Sequence, residues 1–315
     1  MQSYDDFVDY VRDNIRDLLP EEYRDAELGT RRIEKLQGAG YYGLSLKPAG
    51  ARVGVCLNLA AEYARYKEGC EILTLLQSVA ENAVQSLREG KTFSSETFRE
   101  YEKLKDRLML QLVPADINRE ALLCMPHRDF EDISLIYRFV LLAGGCSFAS
   151  VPVTNALLET LKISPEQLHE DALRYAPEAF PASINSLPEV VENMSGLPVL
   201  FDENRLFLAS CGSHYGAGCL FYPGFLETAA EKLSGSYYIL PSSVHELLLV
   251  AEDGTVDSEY LEAMVRAVNE AEVAPEDRLS NSVYHYDAKT GLLEAARKYE
   301  KRVSSANFAE GKERK

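Results

Sequence analysis

Apolar residues at Phe7, Val8, Val11, Ile15, Leu18 and Leu19 recur with helical spacing, with Asp and Arg on the opposite face. The spacing predicts an amphipathic helix over 4–19 that ends at Pro20. Residues 31–36, 41–47 and 52–59 then read as short strands separated by turns rich in Gly and Pro. Helical spacing returns through Ile72, Leu75, Leu76, Val79, Ala83, Val84 and Leu87. The polar stretch 88–107 reads as a connection, which sets a domain boundary near residue 110.

Beyond that boundary, strands are predicted over 119–125, 133–142 and 146–153, and helices over 155–161 and 165–175. Ser164 and Pro165 supply the start signal of the second helix. A hairpin of 199–202 with 207–211, a strand over 217–222 and a helix over 225–233 follow. Two apolar runs, 237–240 and 247–250, flank Pro241-Ser242-Ser243, which reads as a turn, and a helix spans 258–271 with Leu261, Met264, Val265 and Val268 on one side. Short links between successive strands favour antiparallel pairing, so the expected class is α+β, mainly antiparallel sheets with packed helices in two lobes. The lobes are placed at 1–110 and 111–303, with 304–315 as a disordered polar tail.

With 315 residues, 46% of them hydrophobic, the chain has enough apolar side chains for a sizeable core. No apolar run approaches the roughly 20 residues a membrane-crossing helix needs. The N-terminus carries acids where a secretory signal carries basic residues, and a cytoplasmic location is expected. Cys56, Cys70, Cys124, Cys146, Cys211 and Cys219 show no C-x-x-C pair and read as buried, reduced thiols. The formal charge of −17, from 33 basic and 50 acidic residues, repels nucleic acid and anionic membrane. Direct nucleic-acid or membrane binding is therefore not expected. An acidic surface that mimics DNA and inhibits a DNA-binding protein is an alternative, but the acids are scattered, which suits solubility better.

Three segments carry polar chemistry. Ser242 or Ser243 with His245 could act as nucleophile and base, with Glu246 or Asp129 orienting the ring. No G-x-S-x-G elbow is present, and hydroxyls after Pro also serve as ordinary turn chemistry. His127, Asp129, Asp132, His245 and Glu246 could instead gather on a metal, yet none shows a diagnostic ligand spacing, so no metal or cofactor is expected. The preferred reading is a structural clasp in which His127-Arg128-Asp129 bonds the Ser-Ser-x-His-Glu turn. Gly212-Ser213-His214-Tyr215-Gly216-Ala217-Gly218 lacks the ending of a phosphate-binding loop and reads as a flexible hairpin loop. Tyr284 and Tyr286 share a strand face with His285 opposite; they either anchor a protein partner, together with His127 and Arg128, or cover the core edge.

The order of several pieces resembles a bacterial domain-of-unknown-function family, number 5688, met in Gram-positive gut bacteria and their mobile elements. The resemblance rests on Pro126-His127-Arg128-Asp129-Phe130-Glu131-Asp132, on Gly216-Ala217 with Leu220-Phe221-Tyr222-Pro223, and on 238–246. Met264-Val265 with Val268-Asn269, and Leu279-Ser280 with Val283-Tyr284, also fit, so it spans about 110–290. Ala209-Ser210-Cys211 departs from the Thr-Asn pair expected there. The resemblance implies no catalytic residue. The resulting expectation is a binding or regulatory protein of the bacterial cytoplasm, an accessory factor of a mobile element with a protein partner. A hydrolase or metal-dependent enzyme built on the Ser-Ser-x-His-Glu turn is the alternative.

Overall fold

The computed structural model describes residues 3–33, 36, 40–51, 54–90, 100–144, 147–195 and 205–313. The chain divides into two compact units, Met1–Lys103 and Leu104–Lys315. In the first, α1 (Tyr4–Asn14) starts at a capping box in which Ser3 and Asp6 satisfy each other's backbone amides. A single 3-10 turn, Arg16–Leu18, continues it towards Pro20. An antiparallel sheet follows in the order β1 (Glu27–Ile33), β2 (Tyr41–Lys47), β3 (Val55–Leu57). Helices α2 (Ala60–Lys67) and α3 (Ile72–Gly90) complete the unit. Phe7, Val8 and Val11 of α1, Leu44 and Leu46 of β2, and Leu75 and Val79 of α3 form one buried cluster, as their helical and alternating spacings require.

The second unit is built on two antiparallel sheets, so the class is α+β. In one, β6 (Ile133–Gly144) carries β4 (Leu108–Pro114) along Ile133–Phe139, β5 (His127–Phe130) along Ile133–Ile136 and β7 (Ser147–Pro152) along Arg138–Gly144. Three helices accompany this sheet in the chain: α4 (Arg119–Leu122), α5 (Asn155–Leu161) and α6 (Pro165–Ala179). The second sheet has the order β13 (Leu292–Ala295), β12 (Tyr284–Asp287), β10 (Tyr237–Leu240), β11 (Leu247–Ala251), β9 (Leu206–Ser210), β8 (Ser183–Ser186). Helices α7 (Leu187–Ser195), α8 (Phe225–Leu233), α9 (Ser258–Ala271) and α10 (Ala296–Glu313) belong to this half of the chain. On one face, Leu261 and Val265 of α9 bury Tyr238, Leu240 and Val250. On the other, the Tyr237 hydroxyl donates to the Leu226 carbonyl of α8.

Several expectations are corrected. A boundary at 110 falls inside β4, whose residues Leu108–Val113 are all buried. Segment 119–125 is not a strand but the short helix α4 and a turn, because Leu122 is buried while Leu123 and Cys124 face solvent. Segment 217–222 is a 3-10 helix, Gly216–Phe221, rather than a strand. The first arm of the expected hairpin, 199–202, lies outside the described residues, and β9 pairs instead with β8 and β11. Residues 304–313, expected to be disordered, continue α10. Cys211 and Cys219 are buried, whereas Cys56 and Cys70 are half-buried and Cys124 is exposed; all five are free thiols, and Cys146 lies outside the described residues.

Candidate functional site

The two strands around Pro241 pair as expected, with Leu240 opposite Leu248. The link between them is wider than a tight turn, since 241–246 runs as a loop held by other segments. Val244 N–H donates to the Asp277 carbonyl at 2.8 Å, and Leu279 and Ser280 N–H donate to the Ser242 and Pro241 carbonyls, both at 3.0 Å. The loop thus gains a short antiparallel partner in 277–280, with Ser243 opposite Arg278. On its other side, Ala217 N–H donates to the Val244 carbonyl at 3.2 Å.

His245 lies between these two supports. Its Nδ1 accepts the Tyr215 backbone N–H at 3.2 Å, and its Nε2 stands 3.1 Å from Asp277 Oδ1. A nitrogen that accepts an amide proton carries none itself, so the neutral ring holds its proton on Nε2, beside the Asp277 carboxylate. Nδ1 is therefore held by a hydrogen bond, while Nε2 faces a carboxylate at ion-pair distance. The Ser243 hydroxyl, 7% exposed with its residue, accepts the His245 N–H at 3.0 Å rather than facing the ring. This is the hydroxyl-to-backbone bond that Ser supplies in turns. Glu246 is exposed and makes no hydrogen bond or ion pair among the described residues.

The glycine-rich segment is a packed junction, which corrects its reading as a flexible hairpin loop. Tyr215 has φ of +56°, and Gly216–Leu220 are all buried. A Cβ on Gly216 would stand 2.0 Å from Ser210 Oγ and 2.4 Å from the His245 carbonyl, so the glycine permits close backbone approach. Ser210 Oγ lies 2.7 Å from the Gly212 carbonyl and 2.9 Å from that of His245, tying β9 to the same loop.

Beside this junction an aromatic surface forms. The exposed His214 ring stacks on Phe148 of β7 with centroids 4.3 Å apart and planes 4° from parallel. The His214 and His245 rings meet edge to face at 6.2 Å. Burial lowers the His214 pKa, the nearby His245 adds to the shift, and Asp277 opposes it. Below Tyr215, the Arg138 guanidinium lies 4.9 Å from the ring centroid. Arg138 is only 9% exposed; its Nε donates to Ser150 Oγ at 2.8 Å, Nη1 to Gln111 Oε1 at 3.0 Å and Nη2 to the Ser150 carbonyl at 3.1 Å.

The segment His127-Arg128-Asp129 does not reach this loop. Among the described residues no hydrogen bond or ion pair joins it to Ser242, Ser243, His245 or Glu246, which corrects the expected clasp. His127 Nδ1 is 2.9 Å from the Met125 carbonyl, Asp129 accepts the Ser134 hydroxyl at 2.6 Å, and the Arg128 charge acts on the Tyr137 hydroxyl. Burial pushes the Tyr137 pKa up to about 12, and its hydroxyl is 2.8 Å from His169 Nδ1. The clasp that does form runs through Asp132, at the tip of the β5–β6 hairpin. One carboxylate oxygen accepts the Tyr284 hydroxyl at 2.6 Å, and the other accepts Ser280 at 2.6 Å and Ser282 at 3.0 Å. The end of β5 explains the difference, because Asp129 pairs with Ser134 within the sheet while Asp132 lies beyond the strand end.

Tyr284 and Tyr286 are buried, at 0% and 3% exposed, and neither presents an anchoring face to solvent. His285, between them, is fully buried and stacked on Tyr299 at 3.6 Å; its Nε2 lies 3.1 Å from Glu252, and among the described residues its Nδ1 has no partner. Among the described residues no three His, Cys, Asp or Glu side chains gather as a metal site requires. Arg138, Phe148 and Asp277 were missed by sequence reasoning. Arg138 had a signal, since a cation in the middle of the apolar run Ile133–Leu142 is unexpected on a buried strand. Asp277, remote from His245 in sequence, had none.

The fold and this junction define an α+β protein whose second unit binds its loops together through one imidazole and carries an aromatic surface beside a buried arginine. The chain belongs to the Family of unknown function (DUF5688), whose model matches residues 4–288 and so spans both units. No curated protein and no solved structure matched the chain. Among the described residues, no helix is long and apolar enough to cross a membrane.

Proposed function

We propose that this chain is a binding protein rather than a hydrolase, and that it engages its partner through the surface formed by His214, Phe148 and Tyr215. The observation that supports this reading is the state of His245. A serine nucleophile needs a ring nitrogen free to take its proton. Here Nδ1 receives the Tyr215 amide, Nε2 faces Asp277, and Ser243 Oγ accepts a backbone N–H. The polar groups of the loop hold backbone in place, while the stacked Phe148 and His214 rings offer a flat face that partners of binding proteins commonly use.

The partner in this reading is another protein of the cytoplasm, and a regulatory role in a mobile element follows only from the family resemblance. A fluorophosphonate probe on the intact chain tests the non-catalytic half of the proposal. No serine is labelled if the reading holds; stoichiometric labelling of Ser242 or Ser243 overturns it in favour of a hydrolase. The surface itself is tested by Phe148→Ala and His214→Ala together, which remove the stack without touching the His245 bonds. A partner captured by wild type is lost by this variant at an unchanged melting temperature; undiminished capture overturns the assignment of the surface.

A further inference from the structure

We infer that Arg138 anchors an anionic group, a carboxylate or a phosphate, bound beside Tyr215 and His214. The inference rests on the preceding reading of this surface as a binding surface and names the chemistry it recognises. Taking a guanidinium out of water costs several kcal/mol unless a partner charge or a full set of hydrogen bonds compensates it. Arg138 is nine-tenths buried in the sheet, yet among the described residues no carboxylate lies within ion-pair distance of it. This happens in a chain with 50 acidic residues against 33 basic ones, where acids to pair with it abound.

The protein instead supplies neutral acceptors. Ser150 takes Nε–H and one Nη2 proton, and Gln111 takes one Nη1 proton. Among the described residues one N–H of the guanidinium's five remains on each terminal nitrogen, the number of donors a carboxylate or phosphate takes in a bidentate pair. Gln111, 3% exposed, and Ser150 hold the fork in a fixed orientation before any ligand arrives, which lowers the entropy cost of binding. The Tyr215 ring faces the guanidinium at 4.9 Å and adds favourable electrostatics without neutralising it. Asp277, the acid of the junction that pairs in this structure, does so with His245 at 3.1 Å. The net effect is a preoriented cation that lacks a counter-charge among the described residues, next to an exposed imidazole and two aromatic rings.

The test uses the full chain with inorganic phosphate and, in a separate arm, benzoate, each against sodium chloride at matched ionic strength. One of the two anions raises the melting temperature of wild type in a saturable way, and the arm that succeeds names the source of the charge. In the same titration the ring signals of His214 shift, which places the anion in wild type without any variant. Arg138→Gln weakens the affinity at least about tenfold, and Arg138→Lys, which keeps the charge without the fork, falls between. An anion that stabilises Arg138→Gln as strongly as wild type overturns the anchor. So does the absence of both the melting shift and the His214 shift with either anion, a result that stands even if the Arg138 variants do not fold. A chain that binds neither anion yet escapes serine labelling keeps the binding-protein reading and loses this inference alone.

Discussion

Asp132→Ala is expected to destabilise the second unit more than Asp129→Ala, although the two carboxylates stand three residues apart. Asp132 accepts three hydroxyls, those of Tyr284, Ser280 and Ser282, at 2.6, 2.6 and 3.0 Å. Tyr284 is fully buried, and burial together with the adjacent Asp132 charge pushes its pKa well up, so its hydroxyl stays protonated as a donor. Hydrogen bonds to a charged acceptor contribute roughly 1.5–3 kcal/mol each, and a buried donor left without a partner costs about 1–3 kcal/mol. Ser282 is half-buried and recovers most of its loss from water, so the total for Asp132→Ala rests on Tyr284 and Ser280 and is about 3–6 kcal/mol. For a unit of this size that corresponds to a fall of roughly 6–24 °C in melting temperature. Asp129 offers one bond, to the fully buried Ser134, from a side chain that is 66% exposed, and its removal is expected to cost about 1–3 kcal/mol. Thermal and urea melts of both variants measure the contrast. A cycle of Asp132→Ala with Tyr284→Phe should return a coupling of about 1–2 kcal/mol. Equal losses for the two aspartates, or a coupling near zero, would refute the clasp.

Gly216→Ala should prevent the loop junction from closing, because its Cβ meets the His245 carbonyl backbone at 2.4 Å; circular dichroism melts should show a fall of many degrees, while Gly254→Ala, with nothing within 4 Å, is limited to the strain of its φ of +76°. Burial lowers the His285 pKa from 6.5 against the opposing pull of Glu252. Above pH 6.5 the ring is neutral folded and unfolded; below it the unfolded chain takes the proton first, so stability falls with pH until the folded ring also protonates. The slope from this group is at most about 1.4 kcal/mol per pH unit, and the shifts of His169 and His214 act in the same direction. Melting temperatures between pH 7.5 and 5 should therefore decline less steeply for His285→Gln than for wild type, and parallel profiles would exclude His285 as a contributor.

The sequence made most helices and the paired strands legible because their spacing is set by local burial. Helix α9 spans Ser258–Ala271 as its apolar period requires, and β2 spans Tyr41–Lys47 between its turns. It misled where an apolar run is buried without being a strand. The run from Ala217 to Tyr222 is apolar because the segment fills the junction, yet the positive φ at Tyr215 and the crowding at Gly216 fold it into a 3-10 helix. At the candidate site, His245 was legible as a polar residue at a strand mouth, but its partners Tyr215 and Asp277 lie 30 and 32 residues away in sequence. The pairing of 241–244 with 277–280 brings Asp277 to the ring, and the Ala217 bond to the Val244 carbonyl on the other side brings Tyr215. The expected clasp does not form at either end, since spacing alone does not say that Asp132 rather than 127–129 reaches across, or that its partners are Ser280, Ser282 and Tyr284 rather than the 242–246 turn.

The most direct test of the account is the tautomer of His245, read by nitrogen-15 NMR of the imidazole in the intact chain. A ring protonated on Nε2, with a Nδ1 resonance typical of a hydrogen-bonded acceptor and a coupling to the Tyr215 amide, is the expected result and leaves His245 as the pin that joins three segments. A ring protonated on Nδ1, or one whose tautomers exchange freely, would contradict it, because a ring nitrogen would then be available to act as a base.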